Sequence, residues 1–219
     1  MIGTDRLHLL GLALALASST LAFAQDKPPT PDEALKKLKA GNARFAAEKS
    51  TVKDLGDKRR IELAQGQRPF AVVLTCSDSR VVPEFMFDAG LGELFPLRVA
   101  GNVSGQSIFA SIEYATAELK APLVVVIGHS KCGAVDTALK GKDLPSENLK
   151  KLIGLVHLGE KLPAEKDEAL NAAIRNNVRY HAKQLTEQST IIKDFVGAGR
   201  IRIATGVYSI KTGLVDWLD

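Results

Sequence analysis

Cys76, His129 and Cys132 are a thiol, an imidazole and a thiol, each placed just beyond a short apolar run. Cys76 follows Ala71-Val72-Val73-Leu74-Thr75. His129 and Cys132 follow Leu123-Val124-Val125-Val126-Ile127-Gly128. Thiolate and imidazole are ligands that zinc accepts, and three protein ligands with a fourth position open is the arrangement of a catalytic zinc site. Water in that position ionises near neutral pH, giving zinc-bound hydroxide. Asp78, two residues after Cys76, is placed to accept a hydrogen bond from the hydroxide and aim its lone pair. Arg80 is placed to keep Asp78 ionised, since a neighbouring cation favours the carboxylate form. If Arg80 released it, Asp78 would instead fill the open position and shut the site. Gly128 and Gly133 are expected to let the backbone bend closely around the ion. His129 and Cys132 share a face if a helix begins there.

The same two cysteines also admit a disulfide. Residues 1–24 have the order of a secretory signal: Arg6, an apolar Leu/Ala run, and a small-residue site at Ala22-Phe23-Ala24. An oxidising compartment favours disulfides. The company of each cysteine argues for metal, because His129 and the Asp78/Arg80 pair are neighbours a structural disulfide does not need. The expected cut follows Ala24 and places the mature chain in the periplasm or outside the cell. The apolar run is short for a membrane span, and no later stretch would cross a bilayer, so no membrane contact is expected after cleavage.

These residues need a scaffold that brings two strand ends together. The 219 residues suffice for one domain with a sizeable core. Residues 25–31 read as a Pro-rich linker and 32–219 as a single domain. Helices are expected at 32–47, capped by Thr30 with Pro31 in the first turn, and at 53–65, 85–89, 107–119, 133–140, 147–158, 165–187 and 190–196. Strands are expected at 71–74, 94–99, 123–127 and 200–210. Alternating strands and helices imply an α/β fold, with a mainly parallel central sheet flanked by helices. In such sheets ligands bind beyond the carboxyl ends of the strands. The chain carries 29 Lys+Arg against 25 Asp+Glu, a net charge of +4. Asp5 and Arg6 cancel, so removing the signal leaves this balance unchanged. The excess is dispersed and aromatics are few, which excludes a nucleic-acid reading.

Cys-Ser-Asp-Ser-Arg at 76–80 and Gly-His-Ser-x-Cys-Gly at 128–133 resemble the motifs of the β-class carbonic anhydrases. Supporting matches run along nearly the whole mature chain: Gly41-Asn42-x-Arg44-Phe45, Gly66-Gln67-x-Pro69-Phe70, Arg98 to Asn102, Ser111 to Ala115, and Tyr208 to Val215. The resemblance implies reversible hydration of carbon dioxide to bicarbonate and a proton, one Zn2+ per subunit, and a homodimer or dimer of dimers. It maps Cys76, His129 and Cys132 to the zinc ligands and Asp78 and Arg80 to the catalytic dyad. It maps Gln67, Phe95, Tyr114 and Gly133 to the substrate pocket, with the aromatics partly across the dimer interface. One branch has a Trp where this chain has Val73, completing a bicarbonate pocket with an Arg and a Tyr. Arg98 and Tyr208 match the latter two, but the missing Trp places this chain in the branch without that pocket. Two other functions fit the same residues: a zinc hydrolase of carbon disulfide or carbonyl sulfide, and a non-enzymatic module stapled by zinc or a disulfide.

The remaining residues read as structural. His157 and His181 are expected on helix surfaces, Trp217 as a packing anchor, Glu113 in a salt bridge or hydrogen bond, and Lys131 facing solvent.

Overall fold

The computed structural model describes residues 27–218, so the signal reading of residues 1–24 lies outside the described residues. Five strands form one sheet in the order β2-β1-β3-β4-β5. They are β1 (Ala71–Thr75), β2 (Leu94–Arg98), β3 (Leu123–His129), β4 (Arg202–Tyr208) and β5 (Val215–Trp217). The first four pair in parallel, and β5 joins β4 antiparallel. β1 and β3 are buried at every position, as continuous apolar runs in a two-sided parallel sheet should be.

Alternate side chains feed two cores. Val73 and Val125 face one side, where Leu35 and Leu38 of α1 (Pro31–Ala46) and Phe87 pack. Val72, Leu74, Val124 and Val126 face the other. There they meet Ile112 of α4 (Gln106–Ala117), Val178 and Leu185 of α7 (Lys166–Gln188), and Ile192 of α8 (Thr190–Gly197). Each fully buried Val, Leu or Ile contributes roughly 1.5–3 kcal/mol, so these two layers fix where the strands end.

The start of α1 is as expected: Thr30 and Glu33 form a reciprocal capping box, with Pro31 in the first turn. Gly41 is a requirement of packing, since a Cβ there would lie 1.9 Å from the Phe87 carbonyl oxygen. The next residue, Asn42, donates to the carbonyls of Met86 and Gly213 and accepts from the Val215 N–H. It thus ties α1 to β5 and to α3 (Pro83–Met86).

Several expectations change. The helix expected at 53–65 shrinks to α2 (Asp57–Leu63), which has no buried residue and so no packing energy to extend it. The helix expected at 147–158 stops as α6 (Glu147–Gly154), leaving His157 in a loop. Trp217 belongs to a strand not foreseen, β5, and it does pack, its ring 6.2 Å from that of Phe87. His181 is 1% exposed rather than on the surface. Glu113 accepts a hydrogen bond from the Ser189 hydroxyl at 2.5 Å, and Lys131 is exposed and pairs with Asp167 at 3.1 Å.

Candidate metal centre

β1 and β3 are neighbours in register, Thr75 opposite Ile127, so both chains leave the sheet at one edge. Cys76 comes first after β1. β3 runs two residues longer and ends on His129. The chain then reverses through Ser130 and Lys131, and Cys132 caps α5 (Gly133–Leu139). His129 and Cys132 are therefore joined by a turn and do not share a helix face. The left-handed residue in that turn is Lys131, at φ 56°, and neither glycine supplies it. Gly128 is small for another reason: a Cβ there would sit 2.7 Å from Val178 Cγ2, so α7 lies directly against the end of β3. Gly133 has open space around it.

The two Sγ atoms and an imidazole nitrogen all lie within 4.8 Å of one another, and all three residues are buried. Both cysteines are free thiols. His129 Nδ1 lies 3.0 Å from the Ser130 carbonyl, an acceptor only, so Nδ1 carries the proton. Nε2 then has a bare lone pair, buried and without a hydrogen-bond partner. An orphaned imidazole nitrogen beside two buried sulfurs is what a metal would satisfy, and the donor set is one zinc accepts. Hydrogen bonding from Cys132 holds the Cys76 thiol well below its ordinary pKa, helped by the Gly101 N–H. The same pairing, with burial, pushes Cys132 up. The pair favours ionisation of one sulfur over the other, and a bound cation would favour both thiolates.

Asp78 reaches the cluster from the loop after β1, its Oδ2 3.8 Å from His129 Nε2. Arg80 grips it with both arms: Nε donates to Oδ1 at 2.9 Å and Nη2 to Oδ2 at 2.7 Å. The Arg80 backbone N–H adds a third bond at 3.0 Å. Hydrogen bonding from Arg80 holds the Asp78 carboxyl far below the usual carboxylate range. Bidentate pairs of this kind fix direction as well as charge. Arg98, at the end of β2, donates to the Asp78 carbonyl at 2.7 Å and to the Cys76 carbonyl at 3.4 Å. It clamps the loop that carries ligand and carboxylate together. Tyr208 stands opposite His129 in register, and its carbonyl accepts from the Ser130 N–H.

The residues expected to line a substrate pocket are not gathered with the cluster in one chain. Phe95 and Tyr114 pair with each other, ring centroids 6.4 Å apart, with Phe95 half-buried on edge strand β2. Gln67 lines a surface cavity with Arg60, Leu63 and Leu91. No hydrogen bond or ring contact among the described residues links these three to the cluster. Gly133 alone adjoins it, next to Cys132.

Two contributors escaped sequence reasoning. Gly101 donates its N–H to Cys76 Sγ at 3.3 Å, and Asn177 of α7 holds the Gly101 carbonyl at 2.8 Å. The signal for Asn177 was present: an amide on the same stripe as Ala173 and Val178 needs a partner inside the protein.

A mostly parallel α/β sheet with this cluster at its carboxyl edge matches solved β-carbonic anhydrases. One from Aspergillus fumigatus superposes with a TM-score of 0.68 at 28% identity, over 86% of this chain and 90% of that one. The Coccomyxa enzyme, solved with acetazolamide, gives 0.67 at 26% identity, over 84% and 86%. By sequence, a carbonic anhydrase of Mycolicibacterium smegmatis is 39% identical across 85% of this chain and 92% of its own length. The family model for carbonic anhydrase matches residues 71–215. The chain belongs to the β-class carbonic anhydrase family and is an enzyme of that class.

Proposed function

We propose that the chain catalyses the reversible hydration of carbon dioxide to bicarbonate and a proton, with one zinc ion per subunit held by Cys76, His129 and Cys132. The observation that carries this reading is the bare His129 Nε2 facing two buried sulfurs, with an ionised Asp78 beside it. When bound, zinc supplies Lewis acidity that makes a nucleophile of water near neutral pH. The chain's own groups do the rest. Asp78, ionised and aimed by Arg80, accepts a hydrogen bond from the nucleophile, so that its free lone pair turns toward the carbon of carbon dioxide. The water oxygen bonds to that carbon and one proton leaves for solvent, which balances the reaction. Arg98 keeps the Asp78 loop from drifting as the charge moves.

Gln67, Phe95 and Tyr114 are assigned to the substrate pocket of a homodimer, or dimer of dimers, each subunit completing its partner's site. The surface of one chain supports this. β2 is an edge strand with no strand paired outside it among the described residues and with Phe95, Leu97 and Val99 only partly buried, and such edges are normally covered. Tyr114 is 52% exposed, and α2 has no fully buried residue within its own chain. The leader-like residues 1–24 support export to the periplasm or beyond.

The test is hydration of carbon dioxide by the purified chain, followed by stopped-flow with a pH indicator, with metal measured on the same sample. Activity that scales with zinc, to one ion per chain, is expected. A fully zinc-loaded chain that does not hydrate carbon dioxide overturns the reading.

A further inference from the structure

Asn177 lies in the middle of α7 with 0% exposure, inside the apolar layer beneath the cluster. Its amide is committed at both ends. Nδ2 donates to the Gly101 carbonyl at 2.8 Å, and Oδ1 accepts the His157 N–H at 3.0 Å. Gly101 sits in the short 3₁₀ turn Ala100–Asn102 with φ 74° and ψ 12°. A Cβ on it would lie 3.3 Å from Ala134 Cβ and 3.4 Å from Val156 Cγ2, so a side chain there would crowd both neighbours. Glycine has little conformational preference of its own, so its orientation must be imposed. The Gly101 N–H is the group that donates to Cys76 Sγ.

We infer that Asn177 is a positioning residue for the metal centre, acting through Gly101 to aim a backbone N–H at the Cys76 sulfur. This rests on the metal reading given above. The helix that carries Asn177 also presses Val178 and Ile174 on Gly128, the residue before His129. α7 therefore braces both strand ends: β3 by packing, and Cys76 by a chain of two hydrogen bonds. An N–H···S bond draws electron density from a thiolate, which changes its bonding to a metal. Outer partners of this kind typically alter metal affinity by about 10–100-fold.

A purely structural Asn177 would only satisfy two buried backbone groups, and losing it would cost stability alone. Cobalt(II) separates the two cases, because its thiolate charge-transfer band reports electron density on the sulfur. The cobalt-loaded full chain is compared with Asn177→Leu, which keeps the branched outline and loses both hydrogen bonds, and with the gentler Asn177→Ser. Asn42→Ala, a buried amide bound to α3 and β5, serves as the structural control. The expected result is a band moved to lower energy in both Asn177 variants, with metal release to a chelator changed by about 10–100-fold. Asn42→Ala should lower the melting temperature with the parent's band. If Asn177→Leu fails to fold, Asn177→Ser decides on the same two readouts. Parent-like band and release in the folded Asn177 variants, with only the melting temperature lowered, overturn the inference. A parent that binds cobalt without any thiolate band overturns the metal reading itself, and this inference with it.

Discussion

His129 at the end of β3 and His181 in α7 are both sealed from solvent, at 0% and 1% exposure, and neither Nε2 has a partner of hydrogen-bond geometry. Their protons nevertheless lie on opposite nitrogens. His129 Nδ1 faces a carbonyl and must donate, which leaves Nε2 a bare lone pair. His181 Nδ1 accepts the Ser104 N–H at 2.9 Å, so its proton is on Nε2, and it has no lone pair to offer there. Company differs as well. His129 faces two sulfurs and a carboxylate, whereas His181 meets the ring of Tyr180 edge-on beside a surface cavity. Burial with an orphaned nitrogen is thus no sign of a metal ligand by itself. The backbone group that chooses the tautomer decides.

The largest test of this contrast is removal of each ring. His129→Ala, like Cys132→Ala, should lose stoichiometric zinc and activity together. His181→Asn keeps an acceptor for Ser104 and should retain one zinc per chain. Metal analysis beside hydration rates checks both, and a His181 variant that loses its metal would erase the distinction.

Next in size is Asp78→Asn, which keeps shape and loses the charge that Arg80 grips. Turnover should fall about 10²–10⁴-fold with zinc retained, as for an orienting acid–base group. Stopped-flow rates on metal-assayed samples measure it. Parent-like turnover would remove Asp78 from the mechanism.

The smallest effect concerns His181 and pH. Burial pushes its pKa down to about 4, from 6.5, against a smaller upward pull from the Leu155 carbonyl. Above pH 6.5 neither folded nor unfolded chain holds the proton, and its contribution to stability is complete. Between there and pH 4 the unfolded chain takes up a proton that the folded chain refuses. Stability is therefore lost as pH falls, by about 3 kcal/mol in all. Denaturant unfolding of parent and His181→Asn across this range should show the parent losing more. Parallel curves would mean that His181 titrates normally.

The gathering of Cys76, His129 and Cys132 was legible in the sequence because soft donors directly after β-branched runs sit at strand ends. The parallel sheet and the α1 cap were legible for similarly local reasons. His181 was misplaced on the surface, yet it falls on the stripe of Ala173, Asn177, Val178 and Leu185, and its position was a better guide than its polarity. α2 was drawn too long because charged helix formers suggested a helix that no core contact sustains. β5 was invisible: three residues on an edge give no periodicity, and the strand exists because the turn at Gly213, φ 73°, returns the chain to β4. Asn177 was legible only as a polar residue in an apolar stripe. The assignment of Gln67, Phe95 and Tyr114 rests on motif alone, since the geometry of one chain does not bring them to the cluster.

In the proposed site Cys76, His129 and Cys132 hold one zinc ion with a position left open. X-ray absorption at the zinc edge of the loaded chain tests it most directly. One zinc per chain is expected, with two sulfurs at about 2.3 Å, one imidazole nitrogen at about 2.0 Å and one further light atom. A zinc shell of nitrogen and oxygen only, or an active chain with a Cys76–Cys132 disulfide and no zinc, would contradict it.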